Sequence, residues 1–231
     1  MTKFDQSILD HLAAVQHERE RRAASPDLMA GVQAVKAYQH KRFEESYADL
    51  LRSDRYGPAA RFFLDELYGP MDFARRDQQF ARVVPALARL FRAEILETVE
   101  ALTSLHALSE ELDSQMGAHF AFGTGGEIGY LDAWHRTGRA GDRERQVGLM
   151  LLVGAKLDTL TRKPMLRISL SMMRVPARAA GLAELQQTLE RGFETFRSMN
   201  GATEFLATIG QRERTNCSNS FSNGWGGSKV I

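Results

Sequence analysis

The 231-residue sequence predicts an all-α fold, a single globular domain of about nine or ten helices followed by a flexible C-terminal tail. Three observations carry this. Apolar residues recur every three or four positions over long stretches, while the strict alternation that a half-buried strand requires is missing. No self-similar period of the solenoid kind is present, which favours a globular array of helices. A hydrophobic fraction of 43% beside 26% charged residues is globular usage, and the length suits one sizeable core.

Each element has its own signal. Ser25-Pro26-Asp27 reads as a helix start, with Ser25 able to cap and Pro26 at a position where a missing N–H costs nothing. Leu28, Val32, Val35, Phe43, Tyr47 and Leu50 mark the buried side of that helix. After the Arg55-Tyr56-Gly57-Pro58 turn comes a short apolar helix, Arg61-Phe62-Phe63-Leu64-Asp65-Glu66-Leu67-Tyr68, which Gly69-Pro70 stops. A helix from about Phe73 contains Pro85, which should kink it. Ile95, Val99, Leu102, Leu105, Leu108, Leu112, Met116 and Phe120 form the clearest amphipathic stripe. A glycine-rich break at 123–129 precedes expected helices at 130–137, 143–161, 164–173, 176–199 and 202–214. Beyond Thr215 turn formers dominate, so the expected organisation is a helical domain over 1–214 and a flexible tail over 215–231.

Composition narrows the function classes. A net charge of +1 gives no overall field toward nucleic acid or an anionic membrane, so nucleic acid is a poor partner. Met1-Thr2-Lys3-Phe4-Asp5 does not read as a secretory signal, and the longest apolar run, 149–153, is far short of the roughly 18 residues of a membrane span. A single cysteine, Cys217, precludes an internal disulfide and a thiolate zinc site within one chain. A soluble protein of the reducing cytoplasm is expected.

Two segments carry a resemblance. The first is Arg61-Phe62-Phe63-Leu64 continuing through Leu67-Tyr68-Gly69-Pro70, Asp72-Phe73 and Arg75-Arg76-Asp77; the second is Leu105-His106-Ala107-Leu108-Ser109-Glu110-Glu111-Leu112-Asp113. Together they make the chain, over about 43–214, resemble a family of uncharacterised helical proteins of proteobacteria. The resemblance implies the helical fold and carries no activity. The sequence after Arg214 departs from that pattern, as a fusion, an out-of-frame end or a lineage-specific extension would.

Candidate site residues fall into three groups. His106, Glu110 and Asp113 lie at i, i+4 and i+7 on one line of the amphipathic helix, a possible metal or acid–base edge, and Asp132 with His135 at i, i+3 could add a second pair. The repeated Glu-x-x-His pattern of di-metal bundles is missing, and surface pairing is the better reading of His106 and Glu110. Haem ligation by His106, His119 or His135 rests on single histidines. A second group, Phe62, Phe63, Tyr68, Phe73 and Arg76, offers an aromatic groove beside charge, although a capped turn fixed by an arginine–carboxylate pair explains the same residues. Charge is also uneven, with eight acidic and no basic residues over 93–133 but ten basic and three acidic over 134–180. Complementary rims of packed helices account for this most simply. Alternatively Arg167, Arg174 and Arg178, beside Leu166, Leu170 and Met173, make a basic amphipathic face.

Neither a phosphate loop, a nucleophile elbow nor a catalytic triad is legible. The leading expectation is therefore a non-enzymatic helical protein that binds a protein partner or small ligand through the aromatic groove or the basic face. The first alternative is an enzyme or a metal- or haem-binding protein built around His106, Glu110 and Asp113. The second is a carrier whose tail, with Cys217, is modified by another enzyme. Oligomeric state is open.

Overall fold

The computed structural model describes residues 3–67, 74–90, 92–120 and 126–222. Among them are twelve helices and no strand, in the order α1 (Lys3–Ala23), α2 (Pro26–Ser46), α3 (Ala48–Leu51), α4 (Gly57–Leu67), α5 (Ala74–Leu90), α6 (Ala93–Phe120), α7 (Gly126–Thr137), α8 (Ala140–Thr161), α9 (Pro164–Met172), α10 (Arg174–Ala179), α11 (Ala183–Ser198) and α12 (Thr203–Ser222). Ten exceed one or two turns, and α3 and α10 are short connecting helices. None of the described helices is long and apolar enough to cross a membrane.

The 28-residue α6 is the axis of the fold, packed by α1, α2, α7 and α8. Leu105, Leu108, Leu112 and Met116 are buried as the stripe predicts, whereas Leu102 is 40% exposed. Enclosure on several sides also buries polar positions of α6, among them Thr98, Ser104, Glu110, Asp113 and Ser114. Two facing glycines let α2 cross α6 at backbone contact. A Cβ on Gly31 would lie 2.1 Å from the Gly117 carbonyl oxygen, and one on Gly117 2.7 Å from the Val32 nitrogen. The largest apolar cluster joins Phe43, Tyr47, Phe63, Leu105, Met150, Phe196, Phe205 and Ile209. A smaller one joins Val35, Met116, Tyr130 and Trp134.

Local signals place several element starts. Ser25 accepts from the Leu28 N–H at 3.4 Å and Pro26 opens α2. Besides smaller shifts, with α2 ending at Ser46 before Leu50 and α4 starting at Gly57 rather than Arg61, four features differ from expectation. The segment before Ser25, to which the pattern assigns no element, is α1. It buries Ile8, Leu12 and Val15 and then charged groups, Glu18 and Arg22, so its inner face is only half apolar. Residues 126–129, expected in a glycine-rich break, form the first turn of α7. The single helix expected at 176–199 divides at Gly181, whose φ of +70° is favoured by glycine. There the Leu182 N–H returns to the Ala177 carbonyl at 2.8 Å in a Schellman-type stop.

The fourth difference is the tail. Residues 215–222 continue α12 rather than departing from helix after Arg214. Their Asn/Ser-rich composition disfavours helix, and packing overrides it. Cys217 sits against both apolar clusters, and just before it Glu213 is buried, accepting from Tyr47 at 2.7 Å and from Arg42 at 3.0 Å. The remaining tail residues, with Trp225, lie outside the described residues, as do Tyr68 and Phe73.

Candidate functional site

The line His106, Glu110, Asp113 proves to be a seam of ion pairs between helices. His106 Nε2 donates to Asp77 Oδ2 at 2.8 Å, and the same oxygen accepts from Arg19 at 2.7 Å, joining α6 to α5 and α1. Burial raises the Asp77 carboxyl, but His106 and Arg19 outweigh it and hold the group below its ordinary value. One turn on, Glu110 pairs with Arg22 and, at 2.8 Å, with Lys36. Arg22 also donates to the Glu110 carbonyl at 2.5 Å and to Ser114 Oγ at 2.8 Å. Burial pushes Glu110 upward, yet the Lys36 and Arg22 charges pull it down to about 2.

Asp113 has the opposite balance. Burial raises it, and neither Lys36 nor the 3.1 Å bond from Gln39 cancels that effect. His106 and Glu110 are thus paired with groups on other helices, and Asp113, which shares the Lys36 charge with Glu110, is bonded by Gln39. Asp132 lies apart on α7, paired with Arg136 at 2.9 Å, and His135 is half-buried on the same helix. His119 ends α6. Among the described residues no group of three or more His, Cys, Asp or Glu side chains is placed to hold a metal ion. Burial raises the Cys217 thiol, which disfavours the nucleophilic thiolate.

Of the expected aromatic groove, Phe62 and Phe63 are among the described residues. Phe63 is buried against Phe196 and Phe205, and the Phe62 ring lies over Gly192. Arg76 pairs with Glu66, which also accepts from Arg191 at 2.6 Å. These charges fasten α4 to α5 and α11.

The basic face has a different character. No residue of α9 is fully buried. Leu166 and Leu170 turn partly inward, while Met165 (69% exposed), Ile168, Met172 (73%), Met173 and Val175 (77%) turn to solvent along α9 and α10. Spacing of i, i+3 and i+7 puts Met165, Ile168 and Met172 on one side of α9. Arg174 is held by Glu190 at 2.7 Å. Arg167 and Arg178 are exposed and make no hydrogen bond or ion pair among the described residues. Next to this face is a cleft of about 470 Å³ between the ends of α8 and α11 and the start of α9. Its walls carry Arg162, Arg167, Arg197 and Asp158, Ile168 supplies apolar surface, and the buried Phe196 lies beneath. The left-handed Asn200–Gly201 turn closes one side, its carbonyls capped by Arg55 at 3.4 and 3.3 Å.

Sequence reasoning finds Arg167 but not its cleft partners, because Arg197 and the Asn200 turn are thirty residues away in the chain. A second cleft of about 310 Å³, between α1, α6 and the start of α8, brings together His11, His17, Glu18, Glu111 and Arg139. Glu18 and Glu111 are already paired there, with Arg21 and Arg139. Arg143 is also missed: it is buried over the Trp134 ring at 4.2 Å and donates to Met116 Sδ at 2.8 Å.

No curated protein and no solved structure matches this chain. A family model described as a domain of unknown function (DUF8198) matches residues 18–224, from within α1 past the expected boundary at Arg214. The chain belongs to that DUF8198 family.

Proposed function

We propose that this is a helical interaction protein whose docking surface is the outward side of α9 and α10. The observation that carries the reading is a helix with no fully buried residue, which presents two methionines and an isoleucine to water in one row. Water-exposed apolar rows of this kind mark binding surfaces, and flexible thioether side chains adapt to a partner's shape. The expected aromatic groove contributes less, since Phe63 belongs to the core. The cofactor alternative loses support because His106 and Glu110 are engaged by Asp77, Arg22 and Lys36. A half-buried Cys217 within α12 likewise weighs against the carrier reading. A single cysteine keeps the reducing cytoplasm as the proposed compartment.

The test places a photo-crosslinking amino acid at Met165 in the native host. A discrete adduct is expected that Ile168→Glu with Met172→Glu removes while melting temperature and helix content stay unchanged. An adduct indifferent to those substitutions, or none at all, would sink the reading.

A further inference from the structure

Granted that docking surface, we propose that its occupant is an acidic amphipathic helix of a partner protein, with apolar side chains on Met165, Ile168 and Met172 and a carboxylate in the adjoining cleft beside Arg167.

The first argument is charge. Residues 159–183 contain five basic side chains, Arg162, Lys163, Arg167, Arg174 and Arg178, and no acidic one. Three are neutralised from elsewhere in the fold, Arg162 by Asp158, Lys163 by Glu94 and Arg174 by Glu190. Arg167 and Arg178 remain without a salt bridge among the described residues; Arg167 acts at longer range on the Glu194 carboxylate, which is itself paired with Arg197. Arg167 lies within the span of the exposed row, between Met165 and Ile168, and Arg178 six residues beyond its end, so an occupant needs apolar surface accompanied by negative charge.

The second argument is shape. Met165 to Met172 spans about 10 Å of helix, two turns, which matches an i, i+3, i+7 row on an incoming helix. Ile168 belongs both to the exposed row and to the cleft wall, so the two features are continuous. A cleft beside the row accepts a protruding side chain, which a flat bilayer surface does not supply. A second copy docked about a two-fold axis would set this basic face against itself, and that like-charge apposition is unfavourable. A separate acidic chain meets neither objection.

The experiment titrates the full chain with a fluorescent synthetic helical peptide of about 18 residues, leucines along one side and glutamates along both flanks. The same peptide with lysine for glutamate is the control. Anisotropy should show saturable binding of the glutamate peptide, weakened by salt, and binding of the lysine peptide weaker by about tenfold or more. Arg167→Glu and, separately, Met172→Gln should each weaken the glutamate peptide by about tenfold with an unchanged circular dichroism spectrum. Equal affinity for both peptides would overturn the acidic assignment. So would absence of peptide binding while the Met165 crosslink persists, and in both cases the docking reading survives. Arg167-dependent sedimentation with phosphatidylserine vesicles, or a dimer that Met172→Glu dissolves, would replace the partner helix by lipid or by a second copy.

Discussion

The seam between α1, α2, α5 and α6 and the outer side of α9 and α10 invert the usual partition of side chains in opposite ways. In the seam, charged groups go inside: Arg22, Glu110 and Asp113 are all less than a tenth exposed. On α9 and α10, apolar groups go outside: Met165, Met172 and Val175 are all more than two-thirds exposed. Physically these differ. Buried charges satisfied by one another act on the fold, because removing one strands the rest. Exposed apolar groups gain little from the chain's own burial, which is why the proposed docking surface is placed there. The residues that look most chemical in the sequence are engaged by one another between helices, and the plainer ones carry the proposed function.

The largest effect that would test this contrast is Glu110→Ala. It leaves Arg22 and Lys36 facing each other in a buried site and should cost about 3–5 kcal/mol in urea denaturation. A loss below about 1 kcal/mol would place the seam among ordinary surface pairs and dissolve the comparison.

Next in size is acid sensitivity. Glu110 is held at about 2 against an ordinary 4.5, so its contribution is complete above pH 4.5 and is withdrawn as pH falls through about 2. The loss should be roughly 3 kcal/mol. Asp113 runs the other way, since its folded value is raised: its penalty is full above that value and vanishes below the ordinary 3.8. Stability measured down the acid range should fall less steeply in Glu110→Gln and more steeply in Asp113→Asn. Identical slopes would show that neither carboxylate is linked to folding.

At neutral pH, Asp113→Asn should be neutral or stabilising by about 1 kcal/mol, as it removes a desolvated charge and keeps a polar group beside Gln39. A large loss in calorimetry would mean that the Asp113 charge is needed where it is. The smallest effect is expected on the outer surface. Met165→Gln with Met172→Gln should alter stability by less than about 0.5 kcal/mol, because neither side chain is buried. A melting temperature that drops by several degrees would show the row to be part of the core.

How much of this was legible can be read from particular residues. The α6 stripe is visible because apolar residues at 3.6 spacing need only local geometry to declare themselves, and the Ser25-Pro26 start is visible because a cap is a local bond. Helix α1 is not, since half its inner face is charged and becomes intelligible only once Glu110 and Ser114 are opposite Arg22. The end of α12 is hidden for the same reason, as Asn and Ser predict a turn until Cys217 is seen packed on two clusters. His106, Glu110 and Asp113 do share one line, but Asp77, Arg19, Lys36 and Gln39, which decide their chemistry, come from three other helices.

By itself, then, the sequence determined that this chain is helical, where several of its helices begin, and which residues could line up along each. Those properties follow from bonds and periodicities spanning a few residues. Tertiary structure alone decided whether an aligned row meets a counter-charge, a core or water. That outcome depends on partners up to 92 residues away, as between Arg22 and Ser114, and no local pattern encodes such a distance.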